Sequence, residues 1–113
     1  MSFDCTIERT GDSLVVFPEG DLDINNAAVL RQVLQQVLDR RDCAHVEVDM
    51  SAVTFLDSSG LGMLVAARRA AEAQGATLRL RAPGPMVRMV LEVTNLYQQF
   101  VVEEPGEAAA RTS

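Results

Sequence analysis

Two adjacent hydroxyls and a carboxylate, Asp57-Ser58-Ser59-Gly60, interrupt an apolar stretch that reads F-L-D-S-S-G-L-G-M-L from Phe55 to Leu64. Such a group could attack a carbonyl, cradle a phosphate or accept a phosphoryl group. A nucleophilic serine needs a base within reach. The one histidine, His45, opens a strand about a dozen residues upstream, at its far end from the turn, and the flanks lack a G-x-S-x-G elbow. Gly60 and Gly62 lack the third glycine of G-x-G-x-x-G, and with no lysine in the chain there is no P-loop. Cys5 and Cys43 fall in separate elements without C-x-x-C spacing or a histidine cluster, so they read as buried thiols. Neither a metal nor a cofactor is expected, and the chain is not expected to be an enzyme.

What remains is a serine that receives chemistry. At a strand-to-helix junction the first helical N–H groups lack partners, and a serine oxygen can accept one of them. A phosphoserine there brings about −1.5 to −2 charges, which the helix dipole tolerates. Of the two hydroxyls, Ser59 is the better placed to cap, which leaves Ser58 as the freer acceptor and Ser59 as the second choice. The same turn would also arise if the segment were only a well-capped connection.

The elements that hold this turn follow from periodicity. Cys5 to Arg9 and Leu14 to Pro18 read as strands joined at Thr10-Gly11-Asp12-Ser13, a turn-forming cluster. After E-G-D-L-D-I-N-N, the rows Val29, Val33, Val37 and Leu30, Leu34, Leu38 make one apolar stripe on a helix over 27–41, with Asn25 or Asn26 able to cap it. His45 to Met50 alternates as a strand, and Val53 to Leu56 leads into D-S-S-G. Leu61 to Gln74 is a second helix ending at Gly75, Thr77 to Arg81 a further strand, and Met86 to Val93 a third helix entered through Pro85, with Asn95 suited to its C-terminal cap. Tyr97 to Val102 reads as a last strand, and about 103–113 trail off as a polar end that could hold a frayed helical turn. Met63, Met86 and Met89 read as core or interface filler, and Arg68 and Arg69 as a solvated helix face. Strands alternating with helices predict an α/β layered domain on a mixed sheet.

Length and charge set the outer limits. A chain of 113 residues, 48% hydrophobic and 23% charged, has room for one domain, 1–113, with its core over about 5–102. The net charge of −6 disfavours nucleic acid and anionic lipid as partners. No apolar run approaches the roughly 18 residues of a membrane span, so a cytoplasmic location is the default. Residues 1–57 hold eleven of the sixteen acids but four of the ten arginines, so acidic surface belongs to the first half.

Two stretches, G-D-L-D at Gly20 to Asp23 and V-T-F-L-D-S-S-G-L-G at Val53 to Gly62, make the chain resemble a STAS domain of the small stand-alone bacterial anti-sigma factor antagonists, over about Ile7 to Val102. The resemblance implies a mixed sheet with helices mainly on one side and no catalytic activity. It implies that Ser58, directly after the aspartate, is the phosphorylation site. It also implies that Gly20, Asp21, Leu22 and Asp23 lie beside Asp57, Ser58, Ser59, Gly60 and Leu61 to make much of a partner surface. The implied partners are an anti-sigma factor that is also a serine kinase, bound by the unphosphorylated form, and a serine phosphatase that resets it. A STAS subunit that is never phosphorylated, serving a transporter or a stress-signalling scaffold, is the alternative. Oligomeric state is not legible.

Overall fold

The computed structural model describes residues 3–41 and 43–101, so the expected polar tail over 103–113 lies outside the described residues. The element order is β1 (Asp4–Thr10), β2 (Ser13–Leu22), α1 (Ala27–Arg40), β3 (His45–Asp49), β4 (Val53–Leu56), α2 (Ser58–Ala73), β5 (Thr77–Arg81), α3 (Pro85–Val93) and α4 (Tyr97–Phe100). β1 and β2 form the expected hairpin, with Thr10 facing Ser13 and Gly11 at φ 60° in the turn. β2 then runs parallel to β3 through Ser13–Val16 and parallel to β4 through Gly20–Leu22, and β5 lies parallel to β3 on its other side. The result is a five-stranded mixed sheet.

β3 and β4 follow one another along β2 like two halves of one strand, broken at Met50-Ser51-Ala52. Pro18, expected to close β2, sits inside it because of that break. In a two-residue hairpin the residues flanking the turn exchange hydrogen bonds and the pattern alternates along the ladder. Thr10, Glu8, Thr6 and Asp4 therefore bond to β2, and Cys5 faces Pro18 without a bond. The N–H that Pro18 lacks would point to the other side, into the gap between the β3 and β4 pairings, where no ladder needs it.

Alternation decides which face is buried. Leu14, Val16, Val46, Val48, Leu78 and Leu80 point to the side the helices cover and are all buried. Glu47, Asp49, Arg79 and Arg81 point the other way. Arg81 holds that outer face together: its Nη1 donates to Glu47 Oε1 at 3.2 Å, its Nε to Asp49 Oδ2 at 2.9 Å, and its guanidinium lies 5.5 Å from the Phe17 ring centre. Asp49, the one buried charged residue among those described, also accepts from the Ser51 hydroxyl and N–H. Burial pushes its carboxyl up, but the Ser51 bonds and the Arg81 guanidinium outweigh that and hold it below the usual carboxylate range. The break in the strand is thus pinned by a charge-assisted cluster.

Besides the extent of β2, three expectations change here. On α1 the buried stripe is Ala27, Leu30, Leu34, Val37 and Leu38, while Val29 is exposed and Val33 half-buried. A row spaced four apart drifts around a 3.6-residue helix, and only its last member reaches the core. The last strand expected over Tyr97 to Val102 does not form across its described residues: Tyr97–Phe100 is a helical turn, followed at Val101 by one parallel bridge to Leu80, and Val102 lies outside the described residues. Tyr97 and Phe100 are inward while Gln98 and Gln99 are exposed, a spacing of three that a period-two strand cannot satisfy. The cysteines are free but half-buried, not fully buried; partial burial still pushes the Cys5 thiol up.

Candidate functional site

The two motif stretches meet because the last residues of β2 pair with β4. Asp21 lies opposite Phe55 and Leu22 opposite Leu56, after a register shift between Gly20 and Asp21, where Gly20 takes φ 116° and its N–H donates to Ala52 O. One step beyond the strands, the Asp57 N–H donates to Leu22 O at 3.3 Å. α2 leaves from that point, and its first turn packs so closely on β2 that a Cβ on Gly60 would lie 2.4 Å from Leu22 O. Gly60 is therefore a packing requirement, not a source of flexibility. Leu22, 0% exposed, and Gly60, buried under it, cannot themselves touch another protein through a side chain; they fix the positions of their neighbours.

The caps differ from those expected. Asp57, not Ser59, is the N-cap of α2, and its Oδ1 accepts from the Gly60 N–H at 2.9 Å. A carboxylate complements the positive end of the helix as well as its free N–H groups. α1 has no side-chain cap: Asn26 at its N-cap makes none, and Asp23 Oδ1 accepts from the Asn25 and Asn26 N–H groups, at 3.0 and 3.1 Å, in the turn that leads into the helix. Asn26 Nδ2 turns back to donate to Asp21 O at 2.8 Å. Asp21 Oδ1 accepts from Thr54 Oγ1 at 2.6 Å, tying the acidic segment to β4. At α3 the cap is Thr94, with Asn95 following at φ 62°.

Three carboxylates thus stand at one end of the sheet, each with one oxygen already engaged. With the cap supplied by Asp57, Ser58 occupies the first position of α2 and is exposed, and Ser59 is half-buried. Leu61 is half-buried one turn along. Sequence reasoning missed two apolar side chains in this neighbourhood, Ile24, 73% exposed just after Asp23, and Phe55, 42% exposed beside Asp21. The available signal was an isoleucine stranded among Asp and Asn in D-L-D-I-N-N, outside the α1 stripe.

Other chemistry finds no geometry here. His45 sits at the opening end of β3, where its Nδ1 is 2.8 Å from Thr77 Oγ1, whereas Ser58 follows the closing end of the parallel β4. Among the described residues no group of three or more His, Cys, Asp and Glu is arranged to hold a metal ion, and no helix is long and apolar enough to cross a membrane.

Comparison with known proteins gives a consistent picture. The family described as Mlab, STAS domain matches residues 5–103. An anti-sigma F factor antagonist of Paenibacillus polymyxa is 24% identical over 98 residues, 87% of this chain and 84% of that protein. An anti-sigma factor antagonist from Mycobacterium paratuberculosis superposes with a TM-score of 0.81 at 26% identity, over 97% of this chain and 93% of that one. The anti-sigma factor antagonist SpoIIAA in its unphosphorylated form gives 0.75 at 23% identity, over 98% and 96% of the two chains.

Proposed function

This chain belongs to the STAS domain family, and we propose that it is an anti-sigma factor antagonist whose docking is switched by phosphorylation of Ser58. The observation that carries this reading is the placement of Ser58: exposed, at the first position of α2, released from capping by Asp57 and adjacent to an acidic segment. The names of the relatives, anti-sigma factor antagonists in both a curated protein and similar structures, support it. Unphosphorylated, the chain binds an anti-sigma factor that is also a serine kinase, and so frees a sigma factor for transcription. The kinase transfers phosphate to Ser58 and the pair separates; a serine phosphatase restores the hydroxyl. The work is done in the cytoplasm, and the chain contributes no catalysis of its own.

The switch is electrostatic. Asp21, Asp23 and Asp57 give the docking face a negative charge that suits an arginine- or lysine-bearing partner and speeds encounter. A phosphate at Ser58 adds about two charges next to Asp57 and must be desolvated to remain in a close interface. A penalty of about 3 kcal/mol weakens binding by more than about 100-fold. Because the helix dipole tolerates the added charge, the fold is expected to stay intact while the surface changes.

The test uses the chain with a candidate anti-sigma kinase and ATP, with phosphate mapped by mass spectrometry. Phosphate on Ser58, its loss in Ser58→Ala with binding retained, and weak binding by Ser58→Asp are expected. A chain left unmodified beside a working control, or equal affinity for wild type and Ser58→Asp, refutes the reading.

A further inference from the structure

The outer side of β1 has no strand partner among the described residues: β1 pairs with β2 alone and lies at the end of the strand order. Seven residues long, it is exposed at all positions but half-buried Cys5, and Ile7 is 48% exposed. By the alternation fixed at the Gly11-Asp12 turn, Asp4, Thr6, Glu8 and Thr10 spend their backbone groups on β2. Cys5, Ile7 and Arg9 therefore turn their N–H and C=O groups outward. Such an edge is a template for another strand.

We infer that β1 is a self-pairing edge, joining two copies of this chain antiparallel about a two-fold axis through Ile7. The residue types single out that register. Antiparallel pairing matches outward-facing residues with each other, so registers change in steps of two. Centred on Ile7, the pairing sets Ile7 against Ile7, Cys5 against Arg9, Thr6 against Glu8 and Asp4 against Thr10, and no like charges face directly. Centred on Thr6, it would set Asp4 against Glu8; centred on Glu8, it would set that carboxylate against itself. Like charges directly opposite are destabilising, whereas an apolar pair on the axis is favourable. The charges on this strand disfavour the two neighbouring registers, and of the registers without facing like charges the one centred on Ile7 is the one that pairs the whole strand.

Three outward residues per copy give two N–H···O=C bonds for each facing pair, or about six in all. An interface made of one strand edge is small, so the association is weak and concentration-dependent. It is independent of Ser58 and of the reading above, because β1 supplies none of the residues of the switch.

Sedimentation velocity on the full chain from about 10 µM to about 1 mM, with amide exchange at both ends of the range, tests this. Wild type is expected to sediment faster as concentration rises, with concentration-dependent protection at Cys5, Ile7 and Arg9 and none added at Thr6 and Glu8. Ile7→Lys, which puts two ammonium groups on the axis at an exposed site, is expected to weaken association at least about tenfold, while Ile7→Val keeps it. A wild-type chain that stays monomeric, self-association without protection at those three amides, or protection that ignores concentration overturns the inference. So does an Ile7→Lys chain that associates like wild type.

Discussion

Replacing Gly60 by alanine adds one carbon where the first turn of α2 packs on β2. That carbon would stand 2.4 Å from Leu22 O, 2.9 Å from Leu22 Cγ and 3.0 Å from Leu56 Cδ1. None of these can yield cheaply. Leu22 O accepts from the Asp57 N–H, and both leucine side chains are sealed in the core. Relief must come from moving the first turn of α2 outward, which also stretches the Asp57–Gly60 cap. Overpacking of this kind costs about 1–3 kcal/mol, and a lost cap about 1 kcal/mol more. A net loss near 3 kcal/mol corresponds to a fall in Tm of about 10 °C for a domain of this length. Gly62→Ala is the built-in control. It lies two residues further along the same helix, a Cβ there meets nothing within 4 Å, and alanine is the better helix former by about 0.5–1 kcal/mol. Calorimetry or urea unfolding should therefore move the two variants in opposite directions. Equal stability for Gly60→Ala and wild type would refute the claim that this glycine is required by packing against β2.

Other outcomes follow from the same geometry. Asp57→Ala should lose about 1 kcal/mol by urea unfolding through loss of the α2 cap. Asp57→Asn should keep most of that stability while binding a basic partner more weakly, which separates capping from charge. Asp49 has a folded-state carboxyl held below its unfolded value, so its contribution to stability is present above about pH 4 and lost as pH falls through the lower, folded value. Asp49→Asn should accordingly be less stable than wild type at pH 7, and acid titration of unfolding free energy should show the two curves converging as pH drops.

Much of the scaffold was legible because its signals are local. Thr77 to Arg81 alternates cleanly and is β5 to the residue; the T-G-D-S turn is a two-residue hairpin; Pro85 opens α3. What was not legible depends on partners distant in sequence. Nothing near Pro18 announces that β2 has two successive parallel partners with a gap between them, so the strand could not be carried through to Leu22. Helix capping failed for a related reason. Asn25, Asn26, Ser59 and Asp57 are all competent cap types, and the choice is made by where the strand ends: β4 delivers Asp57 to the cap position, and β2 delivers Asp23 in front of α1. The exposure of Ile24 and Phe55 is likewise set by the pairing of β2 with β4, which no single stretch encodes.

Since β2 builds the middle of the sheet with its first half and frames Ser58 with its last three residues, the scaffold and the surroundings of Ser58 share one uninterrupted backbone. Inserting a single amino acid between Phe17 and Gly20 would reverse the sidedness of the rest of β2, turning Leu22 toward solvent and Asp21 toward the interior. Exchanging exposed Ile24 or Phe55 would therefore alter the surface around Ser58 and leave the frame in place, whereas a change in the length of this segment would not.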